Sequence, residues 1–216
     1  MVRLILIGPP GVGKGTQSEL LESRHGIKPI STGVIFRAEI DAQTDLGRLA
    51  KRYIDHGRLV PNGVTIEMIA KRLRLPEIRK SGFALDGFPR NIDQAEALDE
   101  ILIENDLAID RAISLEADTE VVVQRLTGRM GCTKCGAIYH RTNKPPQRDD
   151  LCDNCNSVLL VRSDDQPEAI RERLRIFEEN TAPIIGYYER KSILKRIDAT
   201  RDAEEVFAEI LEGLTL

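Results

Sequence analysis

The sequence predicts an α/β fold, a parallel sheet with helices on both faces, and three observations carry that prediction. Five short apolar runs, near residues 4–7, 29–31, 83–85, 112–115 and 193–197, are mostly separated by helical patterns of ten or more residues. A glycine-rich turn follows the first run directly. Two stretches, roughly 32–61 and 128–165, break the alternation where an insertion disturbs a sheet least.

The elements follow in order. Residues 4–7 read as the first strand, and the glycine-rich segment after them opens a helix through Gln17, Leu20 and Leu21. The first insertion reads as two short helices after the second strand. Asp118 is placed to cap a helix over 119–127. The second insertion, rich in Cys, Pro, Asn and Asp, reads as short strands around a metal. Residues 167–191 form a long helical pattern that Pro183 should kink or split.

Composition narrows the function. A chain of 216 residues, 41% hydrophobic, can bury one substantial core, with or without small inserted subdomains. Its 31 basic and 35 acidic residues give a net charge of −4, which argues against a surface dedicated to nucleic acid or to an anionic membrane. The apolar run over 2–7 is too short for a signal peptide, and no stretch approaches the roughly 20 apolar residues of a membrane span. A soluble, cytoplasmic protein is expected. No repeat, heptad pattern or low-complexity tract stands out.

The turn after the first strand is Gly8-Pro9-Pro10-Gly11-Val12-Gly13-Lys14-Gly15-Thr16. Glycines let backbone N–H groups turn toward a phosphate, a helix N-terminus adds partial positive charge, and Lys14 can reach outer phosphates. The strict P-loop pattern places Ser or Thr directly after the lysine, whereas Gly15 intervenes here before Thr16. Asp86, closing the run Phe83-Ala84-Leu85, is where a second strand would deliver a carboxylate to magnesium or its waters; the alternative is a turn residue before Gly87.

Phosphoryl transfer between nucleotides gathers negative charges that repel by roughly 4 kcal/mol per pair at about 4 Å, so fixed cations are needed. Arg125 and Arg129 are four apart, which puts them on one face of the helix after Asp118, and Arg171, Arg173 and Arg175 lie early in the C-terminal helical pattern. By spacing alone, such residues are more often a solvated face.

The company these residues keep resembles the adenylate kinase family over essentially the whole chain. The matching segments are Gly8 through Gln17, Ser31-Thr32-Gly33 with Arg37, Gly57-Arg58-Leu59-Val60-Pro61, and Asp86-Gly87-Phe88-Pro89-Arg90 with Gln94. They continue through Gly128-Arg129 and the cysteine insert to Arg162 with Asp164-Asp165, Arg173, and Thr181-Ala182-Pro183 with Tyr187-Tyr188.

The resemblance implies a P-loop core with a five-stranded parallel sheet over 1–30, 61–127 and 166–216, an AMP-binding flap over 31–60 and a lid over 128–165. It implies that Gly11, Val12, Gly13, Lys14, Gly15 and Thr16 hold ATP phosphates, with Arg125, Arg129, Ile138, Tyr139 and Arg201 on the donor side. It assigns AMP to Thr32, Arg37, Arg58, Leu59, Val60, Gly87, Phe88, Pro89, Arg90 and Gln94, and the phosphates between the nucleotides to Arg162 and Arg173. Lys14, Arg90, Arg125, Arg129, Arg162 and Arg173 are then the catalytic cations, with Mg2+ on ATP held through water by Asp86. ATP, AMP and ADP are the implied partners, and a monomer the implied state. Two places depart from the family pattern. Val34 stands where an aspartate is expected after Ser-Thr-Gly, and Asn62-Gly63 where Asp-Glu usually follows Val-Pro; Asn62 is still expected to cap a helix.

Cys132-x-x-Cys135 and Cys152-x-x-Cys155 provide two knuckles able to meet around one tetrahedral ion, a structural zinc site with a closed shell. Two disulfides or four free thiols are the alternatives. Two other functions compete with ATP:AMP phosphotransfer. A UMP/CMP kinase usually has Ala and Asn at the positions of Thr32 and Gln94. A nucleic-acid-binding zinc ribbon is opposed by the single aromatic, Tyr139, and by Asp149, Asp150 and Asp153 within the insert.

Overall fold

A computed structural model describes residues 1–214. Its five-stranded sheet consists of β1 (Arg3–Ile7), β2 (Lys28–Ser31), β3 (Phe83–Asp86), β4 (Arg111–Glu116) and, at the far end of the chain, a strand over Leu194–Asp198. Every pairing is parallel, and β1 lies at the centre between β3 and β4. The five apolar runs are thus the five strands, each within a residue or two of its predicted bounds.

A central parallel strand is buried on both faces, and β1 divides its side chains by strict alternation. Ile5 and Ile7 join Phe83, Leu85, Leu98 and Tyr188 on one face, while Leu4 and Leu6 join Leu21, Ile113, Val206 and Phe207 on the other. The first core is covered by α4 (Asn62–Leu73), α5 (Pro76–Ser81), α6 (Ile92–Glu104) and α9 (Pro183–Arg190). The second is covered by α1 (Lys14–His25) and α10 (Ala203–Leu211).

The first insertion comprises α2 (Thr32–Asp41) and α3 (Asp45–Ile54), packed around Phe36, Ala50 and Val60. Thr44 caps α3 by accepting the Gly47 N–H at 3.0 Å. The second insertion forms an antiparallel sheet of β5 (Arg129–Cys132), β6 (Ile138–His140) and β7 (Leu159–Leu160). Its small core holds Met130, Cys132, Tyr139, Cys152 and Leu159.

Two local expectations need correction, and a third is met. The helix α7 (Thr119–Thr127) does follow Asp118, but that side chain makes no capping bond. Arg129 lies beyond α7 on β5, so it shares no helix face with Arg125. The helical pattern over 167–191 divides into α8 (Pro167–Ile176) and α9 through a π-helical turn over Phe177–Thr181. Its Ala182 N–H reaches back to the Phe177 carbonyl at 2.8 Å. Pro183 supplies no N–H to continue an α-helical ladder, and the chain accommodates this by widening the turn before it.

Candidate functional site

The phosphate loop sits at the carboxyl end of the central strand, where parallel sheets place their ligands. The first helical bond of α1 runs from the Gln17 N–H to the Gly13 carbonyl at 3.1 Å, so the N–H groups before it have no intrahelical acceptor. Gly11 has φ 84°, and a Cβ there would lie 2.7 Å from Leu126, so the loop requires glycine for both conformation and contact. Lys14 Nζ donates to the carbonyls of Gly8 at 2.7 Å and Pro9 at 2.9 Å. Burial pushes this ammonium down to about 8; Asp86 opposes the shift, while Arg90, Arg173 and Arg129 add to it. A Cβ on Gly15 would stand 4.0 Å from Ile138, which sets the β6 strand over the loop.

Strand register delivers the carboxylate beside it. Asp86 pairs across the sheet with Leu6 and with Ser31, whose hydroxyl donates to it at 3.1 Å. The next turn gathers Thr32 Oγ1 and Arg90 Nε on the Gly87 carbonyl, at 2.9 and 2.8 Å. Gly87 has φ 77°, and a Cβ there would meet Thr32 Oγ1 at 2.7 Å and the Arg90 guanidinium at 2.9 Å. The Phe88-Pro89 peptide is cis, and Thr181 Oγ1 secures the Arg90 carbonyl at 2.9 Å.

Opposite these groups, the end of the second insertion supplies two buried acids. Asp165 accepts a bidentate pair from Arg129, at 2.7 and 2.6 Å, and a third bond from Arg173 at 2.9 Å. Arg173 also donates to the Asp164 carbonyl at 2.8 Å and pairs with its carboxylate at 3.1 Å. Burial raises the Asp164 carboxyl, but Arg173, Arg129, Arg37 and Arg162 outweigh it, so its net position is below the usual carboxylate range. Sequence reasoning gave these aspartates no part of their own; the signal was their adjacency, between Arg162 and a proline-started helix.

The arginines divide cleanly. Burial lowers Arg90, with Arg173 and Arg37 adding to the effect, and lowers Arg162, where Arg129 and Arg37 contribute. Arg37 is likewise lowered by burial, together with Arg129 and Arg173. A guanidinium stays protonated in a protein, so these shifts reflect burial first and crowding among like charges second. Lys14, Arg37, Arg90, Arg129, Arg162 and Arg173 are six cations whose neighbouring carboxylates are three, Asp86, Asp164 and Asp165. Such an excess suits a polyanion.

Arg171 and Arg175, by contrast, pair with Glu168, Glu172 and Glu179 on the solvated side of α8, as spacing alone allowed. Arg125 stands apart from the cluster, donating to the carbonyls of Val12 at 3.1 Å and Ala199 at 2.9 Å. Arg201 is exposed and pairs with Glu209, and Arg58 is exposed on the segment leading to buried Val60, with Leu59 half-buried between them. Tyr139 lies within the small core of the insertion, its hydroxyl accepting the Asp153 N–H at 2.8 Å and lying 3.6 Å from Cys152 Sγ.

The four cysteine sulfurs lie within 4.8 Å of one another, with Cys132–Cys155 and Cys135–Cys152 separations of 3.4 Å. A disulfide needs about 2.05 Å, whereas four sulfurs at about 2.3 Å from a central ion stand roughly 3.8 Å apart. The cluster therefore fits a tetrahedral zinc better than a pair of disulfides.

Asn62 does not cap α4 as expected. Pro61 holds the capping position, and the Asn62 side chain turns instead to the start of α6, where it meets Asn91, Asp93 and Gln94. Val34 is exposed on α2. No helix among the described residues is long and apolar enough to cross a membrane.

Comparison with known proteins agrees with this arrangement. The family model described as adenylate kinase matches residues 6–193. An adenylate kinase of Carboxydothermus hydrogenoformans is 47% identical over 213 residues, covering 99% of each chain. One of Archaeoglobus fulgidus is 47% identical over 209 residues, covering 97% of this chain and 96% of its own, and one of Thermoanaerobacter sp. is 45% identical over 213 residues, covering 99% and 98%. With the P-loop, the five-stranded parallel sheet and the cysteine cluster already in place, these matches settle the lineage: the chain belongs to the adenylate kinase family of nucleoside monophosphate phosphotransferases.

Proposed function

We propose that this chain transfers the γ-phosphoryl group of Mg-ATP to AMP, reversibly, giving two ADP. The observation that carries the reading is the cluster of six cations against three carboxylates beside the P-loop. In-line transfer forms a bond from an AMP phosphate oxygen to the γ-phosphorus as the bond to the leaving ADP oxygen breaks. No strong base is required; positioning and charge stabilisation suffice.

In this reading, residues 11–16 hold the ATP phosphates, with Lys14 following charge onto the leaving group. Arg90, Arg129, Arg162 and Arg173 neutralise the phosphates between the nucleotides, and Arg125 serves by holding the loop against the end of the last sheet strand. Ile138, Tyr139 and Arg201 border the donor side; Thr32, Arg37, Arg58, Leu59, Val60, Gly87, Phe88, Pro89, Arg90 and Gln94 border AMP. Asp86 would hold magnesium through water, and the ion would supply neutralising charge for the phosphates. Ser31 orients that carboxylate by donating to it. Residues 31–60 act as a flap and 128–165 as a lid over the core formed by the remainder; their closure excludes water, so that phosphate passes to AMP and not to solvent. The protein works as a cytoplasmic monomer and binds no nucleic acid.

The direct test incubates the protein with Mg-ATP and, separately, AMP, GMP, CMP and UMP, following diphosphate formation. AMP is the expected acceptor. Preference for CMP or UMP would overturn the assignment in favour of a pyrimidine nucleotide kinase.

The zinc makes a separate prediction. A loop-rich lid of fewer than about forty residues has little core of its own, so a metal cross-link supplies much of its stability. Elemental analysis should find one zinc per chain. Chelation under mild denaturant should lower the thermal midpoint and raise KM for ATP, because Arg129 and Arg162 lie at the two ends of the lid, yet leave measurable transfer in the cold. Absence of metal, or lost chemistry in a chain whose thermal midpoint is unmoved, would defeat the structural role.

A further inference from the structure

Four polar side chains meet where α4 begins beside the start of α6, and together they fix the orientation of one amide. Gln94 Oε1 accepts the backbone N–H of Arg90 at 2.8 Å. A backbone N–H only donates, so the Gln94 atom facing it is the oxygen and the other is Nε2. Nε2 donates to Asn62 Oδ1 at 2.9 Å. A second route arrives at the same atom. Asn91 Oδ1 caps α6 by accepting the Gln94 N–H at 2.9 Å, which leaves Asn91 Nδ2 to donate to Asn62 Oδ1 at 3.0 Å. The remaining Asn62 atom, Nδ2, then donates to the Asp93 carboxylate at 3.2 Å. Each of these contacts sets a donor against an acceptor, and reversing any one amide would set donor against donor or acceptor against acceptor.

We infer that Asn62 is a positioning residue that, holding Nε2 opposite the Arg90 N–H that holds Oε1, fixes which way round Gln94 presents its amide, and so makes the acceptor site select an adenine edge over a guanine edge. The inference rests on the proposed role of Gln94 at the base of AMP. With two protein bonds made, Gln94 keeps one N–H and one lone pair for a ligand. Adenine presents an amino donor beside a ring-nitrogen acceptor, whereas guanine presents a carbonyl acceptor beside an N–H donor. A freely turning amide serves either edge; a fixed one serves only the first. Cytosine presents the same donor and acceptor order as adenine, so this lock separates adenine from guanine and leaves cytosine to be excluded by size. The departure from the family pattern also gains a physical reason. An aspartate at position 62 would face the Asp93 carboxylate, while the asparagine amide donates to it.

The experiment compares Asn62→Leu, Asn62→Ala and Asn62→Asp with the parent, using AMP, GMP and CMP as acceptors. Leucine and alanine remove the acceptor that holds Nε2. The AMP-to-GMP ratio of kcat/KM should fall about tenfold, through KM more than kcat, while the AMP-to-CMP ratio stays within about twofold. Aspartate keeps an acceptor at the same place and should hold the AMP-to-GMP ratio within about threefold of the parent. Should the leucine variant fail to fold, the alanine variant decides. An unchanged AMP-to-GMP ratio in a folded variant, or equal falls in both ratios, would overturn the inference and leave Asn62 a packing residue. A parent that makes no ADP from AMP would instead overturn the substrate reading beneath it.

Discussion

Replacing Lys14 with Met lowers kcat by about a hundredfold or more while the fold persists, because the ammonium is worth most as charge shifts onto the leaving phosphate. The neighbours sharpen this expectation. Lys14 is desolvated by burial, and Arg90, Arg173 and Arg129 stand near it, which brings its ordinary value of 10.5 down to about 8. Above that pH the free enzyme loses the charge, so kcat/KM at low Mg-ATP should decline through about pH 8, whereas a bound polyphosphate holds the proton and keeps kcat level to higher pH. The Met variant should lack that limb. The stability consequence has the opposite sense. A lysine whose folded value lies below its unfolded value binds fewer protons when folded, so its charge costs stability below pH 8, a cost relieved as pH rises toward 10.5. The thermal midpoint of Lys14→Met at pH 7 should accordingly equal or exceed that of the parent. A variant retaining kcat within about threefold would remove the lysine from the chemistry.

Arg173→Ala should be the other severe change, acting on activity and stability together. Its guanidinium bridges Asp164 and Asp165, and the Asp165 side chain has no exposure to solvent. Removing one partner leaves a buried carboxylate with Arg129 alone, at a cost of about 1–3 kcal/mol. With the cluster also reduced by one cation, turnover should fall by about tenfold or more. Arg171→Ala is the control, since Arg171 pairs with Glu168 in solvent, and it should change either quantity little. Denaturant unfolding and steady-state kinetics on both variants separate the two faces of α8. Equal, small effects would return Arg173 to the solvated face.

The Arg173 substitution concerns a residue that spacing alone could not rank. Arg171, Arg173 and Arg175 form one local pattern, yet only Arg173 meets Asp164 and Asp165. Arg125 and Arg129 look like a helical pair until α7 ends at Thr127 and the chain turns into β5. Asn62 reads as a cap because asparagine favours that position, but partners 29 to 32 residues away hold its amide more strongly than the local helix end does.

The sequence by itself determined what depends on neighbours along the chain. Apolar runs of strand length became the five parallel strands, glycines before Lys14 made a phosphate loop at a helix start, and two Cys-x-x-Cys knuckles brought four thiols into one cluster. These features are legible because backbone geometry and ligand spacing act over a few residues. The tertiary structure alone decided which arginines share buried carboxylates, that a π-helical turn precedes Pro183, and which way Asn62 and Gln94 direct their amides. Those outcomes depend on desolvation and on partners far apart in the chain, and a charge or an amide carries no mark of either until the fold brings its partners within reach.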